Sequence, residues 1–192
     1  MRLPAAERRQ QLLEVAVGVF ATAGFHNTSM NDVAIAAGVT KPVLYQHFDS
    51  KRELYLEMLR EIGGQLRDTI AKATVDATGP RQQIEGGFRA YFAFVADHGD
   101  AFRVLFGAGT RRDEEFAEEA RRVEASIAEI VAEHIEIDGL SRQDRLLLGN
   151  GIVGLAEGAC RYWLQHEVDI DAATLSEHAS RLAWAGLRGI TP

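Results

Sequence analysis

Residues 28–54 constrain this chain more than any other stretch. They set helix starts, a glycine stop and a proline at spacings that leave room only for short helices joined by a tight turn. Ser29 with Asp32 three residues on is a capping-box pair, and Val33, Ala34 and Ala37 supply the apolar stripe of a short helix behind it. Gly38 then permits the left-handed backbone that ends this helix. Val39 follows as the apolar plug of the turn, and Thr40 stands where it can cap the next helix. Pro42 falls in that helix's first turn, where a missing N–H costs nothing. The spacing predicts the second helix over Lys41 to about Phe48. Ser50 with Glu53 repeats the capping pattern ahead of Leu54, Tyr55, Met58, Leu59 and Ile62, so a further helix starts near Lys51. A sharp turn between short helices of this kind is helix-turn-helix geometry.

The remainder is helical as well. No run alternates β-branched or aromatic residues with polar ones, whereas apolar residues recur at three- and four-residue spacing throughout, so the fold class is all-α with about nine helices. The first helix is predicted over Ala5 to Ala23, with Leu12, Leu13, Val15, Ala16, Val19 and Phe20 as its apolar side and Gly24 closing it. The helix from Lys51 runs on to about Ala73, long enough to leave a small head and act as a lever. Beyond Gly79-Pro80, helices are predicted over about 81–96, 100–106, 112–137, 141–166 and 171–187. The division is a helix-turn-helix head over 1–50 and a body over 51–192. Within the body, Gly149, Gly151, Gly154 and Gly158 each lower helix propensity by about 1 kcal/mol relative to alanine. Small residues on the last two long helices let backbones approach closely. Periodicity fits a four-helix interface between two copies over about 141–187 and an internal core of one chain equally well.

The formal charge is −7, but it is unevenly placed. Arg2, Arg8, Arg9, Lys41, Lys51 and Arg52 outnumber Glu7, Glu14, Asp32 and Asp49 over residues 1–52, so the acidic excess lies wholly in the body. A basic head on an acidic body presents one face to phosphate. Cys160 is the single cysteine, which excludes an internal disulfide and a thiolate metal cluster. Its neighbours Ala156, Ala159 and Trp163 read it as a small buried hydrophobe. No apolar run reaches the ~18 residues of a membrane span, and the first residues lack the apolar core of a signal peptide. A cytoplasmic protein without a membrane partner is expected. The six histidines show no metal spacing, no nucleophile elbow is present, and Gly63-Gly64 and Gly86-Gly87 make no phosphate loop. No metal, cofactor or catalytic residue is therefore expected, and the chain does not read as an enzyme.

Gly24-Phe25, Thr28-Ser-Met, Asp32-Val-Ala-Ile-Ala-Ala-Gly-Val, Leu44-Tyr-Gln-His-Phe and Ser50-Lys51 with Glu53-Leu54 together resemble the TetR family of bacterial transcriptional regulators. The resemblance in residues covers about 5–55; the body matches in helix count and length. It implies an all-helical homodimer with a three-helix DNA-binding head and a C-terminal domain that binds a small molecule and dimerises through its last two long helices. Most such regulators are repressors released by ligand. In helix-turn-helix proteins the second helix enters the major groove of double-stranded DNA. Lys41, Pro42, Val43 and Gln46 fall at base-facing positions: Lys41 suits guanine, Gln46 adenine, and Pro42 and Val43 a thymine methyl. Tyr45 and His47, at the family's positions, are expected on phosphates, as are Thr28, Thr40 and Lys51 beside helix N-termini. Pro42 departs from the glycine or small polar residue many members carry, so no operator sequence transfers. Arg2, Arg8 and Arg9 suit a basic N-terminal arm.

For the effector, the aromatic residues Phe88, Tyr91, Phe92, Phe102, Phe106 and Phe116 gather where the family places its pocket, with Trp163 as an added wall. They suggest a cavity for an apolar or amphipathic molecule; the same stripe also suits solid core. Glu157 with Arg161 forms an i,i+4 pair that either stabilises its helix or, if buried, anchors a ligand's polar end. The competing function is a helical ligand-binding or interaction module without sequence-specific DNA binding.

Overall fold

A computed structural model describes residues 4–166 and 168–190. Arg2, assigned above to a basic arm, lies outside the described residues. Those residues form ten helices and no strand: α1 Ala5–Asn27, α2 Met30–Ala36, α3 Lys41–Tyr45, α4 Lys51–Val75, α5 Pro80–Asp97, α6 Gly99–Phe106, α7 Ala108–Arg112, α8 Glu114–Glu133, α9 Arg142–Gln165 and α10 Ala172–Arg188. The helix beyond the sequence reading is α7, a five-residue segment at the glycines that end α6. The chain divides into two compact units. One is Met1–Gly64 with His98–Arg121, the other Gln65–Asp97 with Arg122–Pro192. α4 and α8 each supply residues to both.

In the first unit the cap signals work as written. The Ser29 hydroxyl accepts from the Asp32 N–H, and the Asp32 carboxylate accepts from the Ser29 N–H at 2.8 Å. The Ser29 N–H first, and the Ser29 hydroxyl bonded to the same carboxylate at 2.8 Å next, hold the Asp32 carboxyl below the usual carboxylate range. Gly38 adopts φ 65° and Gly24 φ 76°, the left-handed region that favours glycine. Gly24, with φ 76° and ψ 165°, interrupts α1 with a kink. Leu12, Leu13, Ala16, Val33, Leu44 and Phe48 are buried and weld α1, α2 and α3 to the start of α4.

Around Phe25 a cluster of rings closes the unit. Phe116 lies 4.8 Å from Phe25 and 4.5 Å from Tyr55, and Phe20 meets Tyr55 edge-on at 5.0 Å. Thr110 donates to the Val104 carbonyl at 2.6 Å, so its single proton is used and Tyr55 must donate to Thr110 across 2.8 Å. Arg52 binds both carboxylate oxygens of Asp113, at 2.6 and 3.0 Å, and Glu115 at 2.7 Å, while lying over the Phe116 ring. Arg52 in turn holds the Asp113 carboxyl below its ordinary value.

The second unit is built on α5, α9 and α10, with the later parts of α4 and α8. Its helices start where their caps say: Ser141 and Asp144 form a reciprocal capping box, and Asp171 accepts from the Thr174 N–H at 2.7 Å. The glycines of α9 separate into two kinds. A Cβ on Gly149 would come within 2.5 Å of the Ala128 carbonyl oxygen, so that glycine lets α9 close on α8. A Cβ on Gly151, Gly154, Gly158 or Gly186 would meet nothing. Those four are therefore not spent on packing within the chain. Beside them Leu147, Tyr162 and Leu182 are 73%, 61% and 62% exposed. The inward side of α10, with Leu175, Ala179 and Ala183, is buried.

Candidate nucleic-acid interface and effector cavity

α3 is pinned from below by Leu44 and Phe48, both fully buried, which leaves Lys41, Pro42, Tyr45 and Gln46 exposed on one side with Val43 and His47 at its margins. Tyr45 is 41% exposed, and the Lys41 ammonium sits 5.8 Å from its ring centroid, a cation–π contact that holds both at the outer surface. Thr40 begins the helix without a side-chain cap bond, so its exposed hydroxyl is available outward. These residues form one exposed ridge on α3, polar at Thr40, Lys41, Tyr45 and Gln46 and apolar at Pro42 and Val43.

Three assignments from the sequence change. Thr28 is 2% exposed and its hydroxyl donates to the Gly24 carbonyl at 2.8 Å, so that side chain closes the kink of α1 and does not face outward. Lys51 donates to the carbonyls of Phe25 and Thr28, each at 2.7 Å, with its ammonium 4.4 Å from the Phe25 ring centroid. It is a clamp on the end of α1, because a lysine at the N-terminus of α4 lies beside carbonyls that α1 leaves unsatisfied. Arg9, expected in an arm, pairs with Glu57 at 3.0 Å and covers the Phe48 ring, while Arg8 bonds Gln11. Both are part of the packed head.

A cavity of about 330 Å³ lies within the second unit, among α4, α5, α8, α9 and α10. Its wall is mostly aliphatic: Ile70 and Ile84 from α4 and α5, Ile127, Ile130 and Ile135 along and beyond α8, Ile152 and Val153 from α9, Leu187 from α10. Phe88 and Tyr91 line it as the sequence suggests, and Trp184 joins them. The Tyr91 hydroxyl has no hydrogen-bond partner and is inaccessible, so the surface it offers the cavity is its ring. Burial first, and the neighbouring Cys160 and Glu157 next, push that hydroxyl well above its usual pKa. Burial likewise raises the Cys160 thiol, followed by the Glu157 charge.

The other sequence-assigned residues lie outside this cavity. Phe102, Phe106 and Phe116 belong to the first unit, where α6 packs on α1 and Phe116 on Phe25. Phe92 is on α5 but fully buried, and it is not among the lining residues. Trp163 is also outside the lining and donates to the Ile170 carbonyl at 2.9 Å, tying down the segment after α9. Glu157 is buried and paired with Arg161, again outside the lining. The signal that sequence reading passed over is the isoleucines of residues 127–137, of which Ile127 and Ile130 on α8 have a helical spacing that equally suits a filled core.

Comparison with known proteins fits both halves. The family model described as bacterial regulatory proteins, tetR family, matches residues 12–58, and that described as tetracyclin repressor-like, C-terminal domain, matches residues 80–186. The chain is 34% identical to the HTH-type transcriptional activator FasR of Mycolicibacterium smegmatis over 97% of its own length and 85% of that protein. It is 33% identical to the transcriptional repressor KstR2 of the same organism over 56% of this chain and 52% of that one. Among solved structures, a TetR-like transcriptional regulator from Rhodococcus sp. RHA1 superposes with a TM-score of 0.80 at 30% identity, over 98% of this chain and all of that one. The fold is also that of the regulator FadR from Bacillus subtilis, solved with stearoyl-CoA, with a TM-score of 0.79 at 19% identity over 95% of this chain and 99% of that one. The chain belongs to the TetR family of bacterial transcriptional regulators, with a helix-turn-helix N-terminal part and a ligand-binding C-terminal one.

Proposed function

We propose that two copies of this chain, joined through the exposed glycine-bearing face of α9 and α10 over about 141–187, occupy a palindromic operator in the cytoplasm as a repressor, and that an apolar or amphipathic effector in the aliphatic cavity releases them. The observation that carries this reading is the ridge on α3. Lys41, Pro42 and Gln46 stand outward where a recognition helix reads bases, Val43 at their margin, and Thr40, Tyr45 and His47 flank them for phosphates. The head is residues 1–50, and the body is residues 51–192. α4 begins at Lys51, directly after the head, and runs to Ile70 and Thr74 in the cavity wall, so an occupant that displaces that wall acts on the helix that carries the head. An effector with equal affinity for both states shifts nothing, so release requires that it bind the displaced form more tightly. The stearoyl-CoA bound by the Bacillus subtilis FadR supports a chain-like effector. The reading contains no catalytic step and calls for no cofactor.

Activation is the second reading, favoured by the activator FasR, which the chain matches over nearly its whole length. The two share the same DNA and ligand steps and differ in where the operator lies relative to the promoter. The test is selection from a random-sequence DNA pool at stated salt, with sequencing of the retained fraction. A palindrome that is lost in Lys41→Ala and Gln46→Ala variants supports the operator reading. No enrichment by the wild-type chain overturns it in favour of a binding module without sequence-specific DNA recognition.

A further inference from the structure

The cavity is not the same along its length. On α5 its wall extends from Pro80 and Gln83 to Tyr91, a stretch of helix about 16 Å long at 1.5 Å per residue. Pro80 and Gln83 are partly exposed, whereas Phe88 and Tyr91 are buried. Across from them Ile127 and Ala156 are buried, while Glu136 and Arg188 are exposed. The opening is therefore at Gln83, Glu136 and Arg188, and the closed end is the Tyr91 ring with Ile127 and Ala156.

Polarity follows the same axis. The Thr74 hydroxyl is tied to the Ile70 and Ala71 carbonyls, and the Tyr91 hydroxyl is inaccessible, so neither offers a free polar atom to the interior. His134 uses Nδ1 on the Ile130 carbonyl at 2.6 Å. Arg188 sits in the last turn of α10 and forms no ion pair among the described residues. A cation at a helix C-terminus is favoured by the helix dipole, so its position is stable before any ligand arrives. Glu136 shares the rim without pairing with it, which restricts an anion to the Arg188 side.

Resting on the effector reading above, we propose that the cavity takes a linear acyl anion of roughly a dozen carbons, its chain directed at the Tyr91 ring and its anionic head against Arg188. The length follows from the 16 Å axis, and the preference for a hydrocarbon chain without polar substituents follows from walls that are mostly aliphatic, with the Thr74 hydroxyl bonded within its own helix. A free carboxylate and an acyl thioester with a phosphate-bearing handle share this chemistry.

The test is equilibrium binding to the full chain, read by Trp184 fluorescence in a Trp163→Phe background, with dodecanoate, dodecanoyl-CoA and dodecan-1-ol as probes. The expected result is that at least one anionic probe binds about tenfold more tightly than the alcohol, the scale of one charge-assisted contact. Arg188→Gln then lowers that probe to the level of the alcohol while leaving the alcohol unchanged, and Arg188→Lys restores part of the loss. Unchanged alcohol binding shows that the variant is folded. Which anionic probe loses affinity in Arg188→Gln identifies the head group as carboxylate or phosphate. Equal binding of alcohol and both anions, insensitive to Arg188→Gln, overturns the head-group inference and leaves the effector cavity standing. An eighteen-carbon carboxylate that binds as tightly as dodecanoate overturns the length. No binding by any probe overturns the acyl inference.

Discussion

Replacing Gly151, Gly154 and Gly158 together by alanine separates a solvent-exposed face of α9 from one that meets a second copy. All three lie inside the helix, and a Cβ at each meets no atom of its own chain. In an isolated protomer each change therefore removes only the glycine entropy cost. That is about 1 kcal/mol per site, or about 3 kcal/mol together, which raises Tm by roughly 6–12 °C for a chain of this size. If the face packs on its symmetry mate, the same methyl groups enter a close backbone contact from both sides. Overpacking costs about 1–3 kcal/mol at a crowded site, so three sites counted twice weaken the dimer by about ten-thousandfold or more, taking ~1.4 kcal/mol per decade. The assays are sedimentation equilibrium and thermal unfolding at several protein concentrations. The expected result is a wild-type Tm that climbs with concentration and a variant Tm that does not, with the variant sedimenting as monomer. Gly149→Ala is the control, since its Cβ collides with the Ala128 carbonyl inside one chain and destabilises at every concentration. A triple variant that dimerises as the wild type does and is merely about 3 kcal/mol more stable refutes the interface.

Lys51→Met should lower stability by about 1–2 kcal/mol, less than the full worth of two bonds from a charged donor because the freed carbonyls partly rehydrate. Its operator binding should keep the wild-type salt slope, whereas loss of a phosphate contact would flatten the slope by ~0.9. Gln46→Ala should weaken operator binding by about 1–3 kcal/mol and relax the preference at a single base pair in each half-site, read by selection; uniform weakening across all positions would place Gln46 on the backbone. Cys160 should resist iodoacetamide at pH 8 in the folded protein and react in urea, because burial raises the thiol pKa and closes access; fast labelling of the native chain would contradict this. Arg52→Gln should be less stable than wild type at neutral pH. Because the folded Asp113 pKa is depressed, its contribution is present above the unfolded value of ~3.9 and fades as pH falls through the folded one. The two proteins should therefore converge in urea titrations run below that range, and a gap that persists in acid would assign the effect to packing of Arg52 on Phe116.

The head was legible because its instructions are local. Ser29 and Asp32 act three residues apart, Gly38 acts on its own backbone, and Pro42 on the helix it begins. What sequence reading misplaced there are side chains whose roles depend on distant neighbours. Lys51 meets carbonyls of residues 25 and 28, and Arg9 meets Glu57. No local spacing announces either contact, and a basic residue near a helix N-terminus reads as an anion site until the carbonyls beside it are seen. In the body the aromatic residues drew the pocket toward Phe102, Phe106 and Phe116, which complete the first unit, and the isoleucines that line the cavity carry the same helical period as a filled core. A wall and a core differ only in whether an atom stands opposite, and that is decided by several helices at once. Energetics supply the argument that periodicity lacks. At about 24 cal/mol per Å³, a fully closed and dry hollow of 330 Å³ would forgo about 8 kcal/mol of packing, an upper bound for one that opens to solvent. Water at the Arg188 rim recovers part of that, but the aliphatic depth gains little from water. A chain could remove the deficit with larger residues at Ala156 or Val153. That it keeps the space open is the physical reason to read the hollow as a seat for an apolar chain, whose burial returns about 0.8 kcal/mol per methylene.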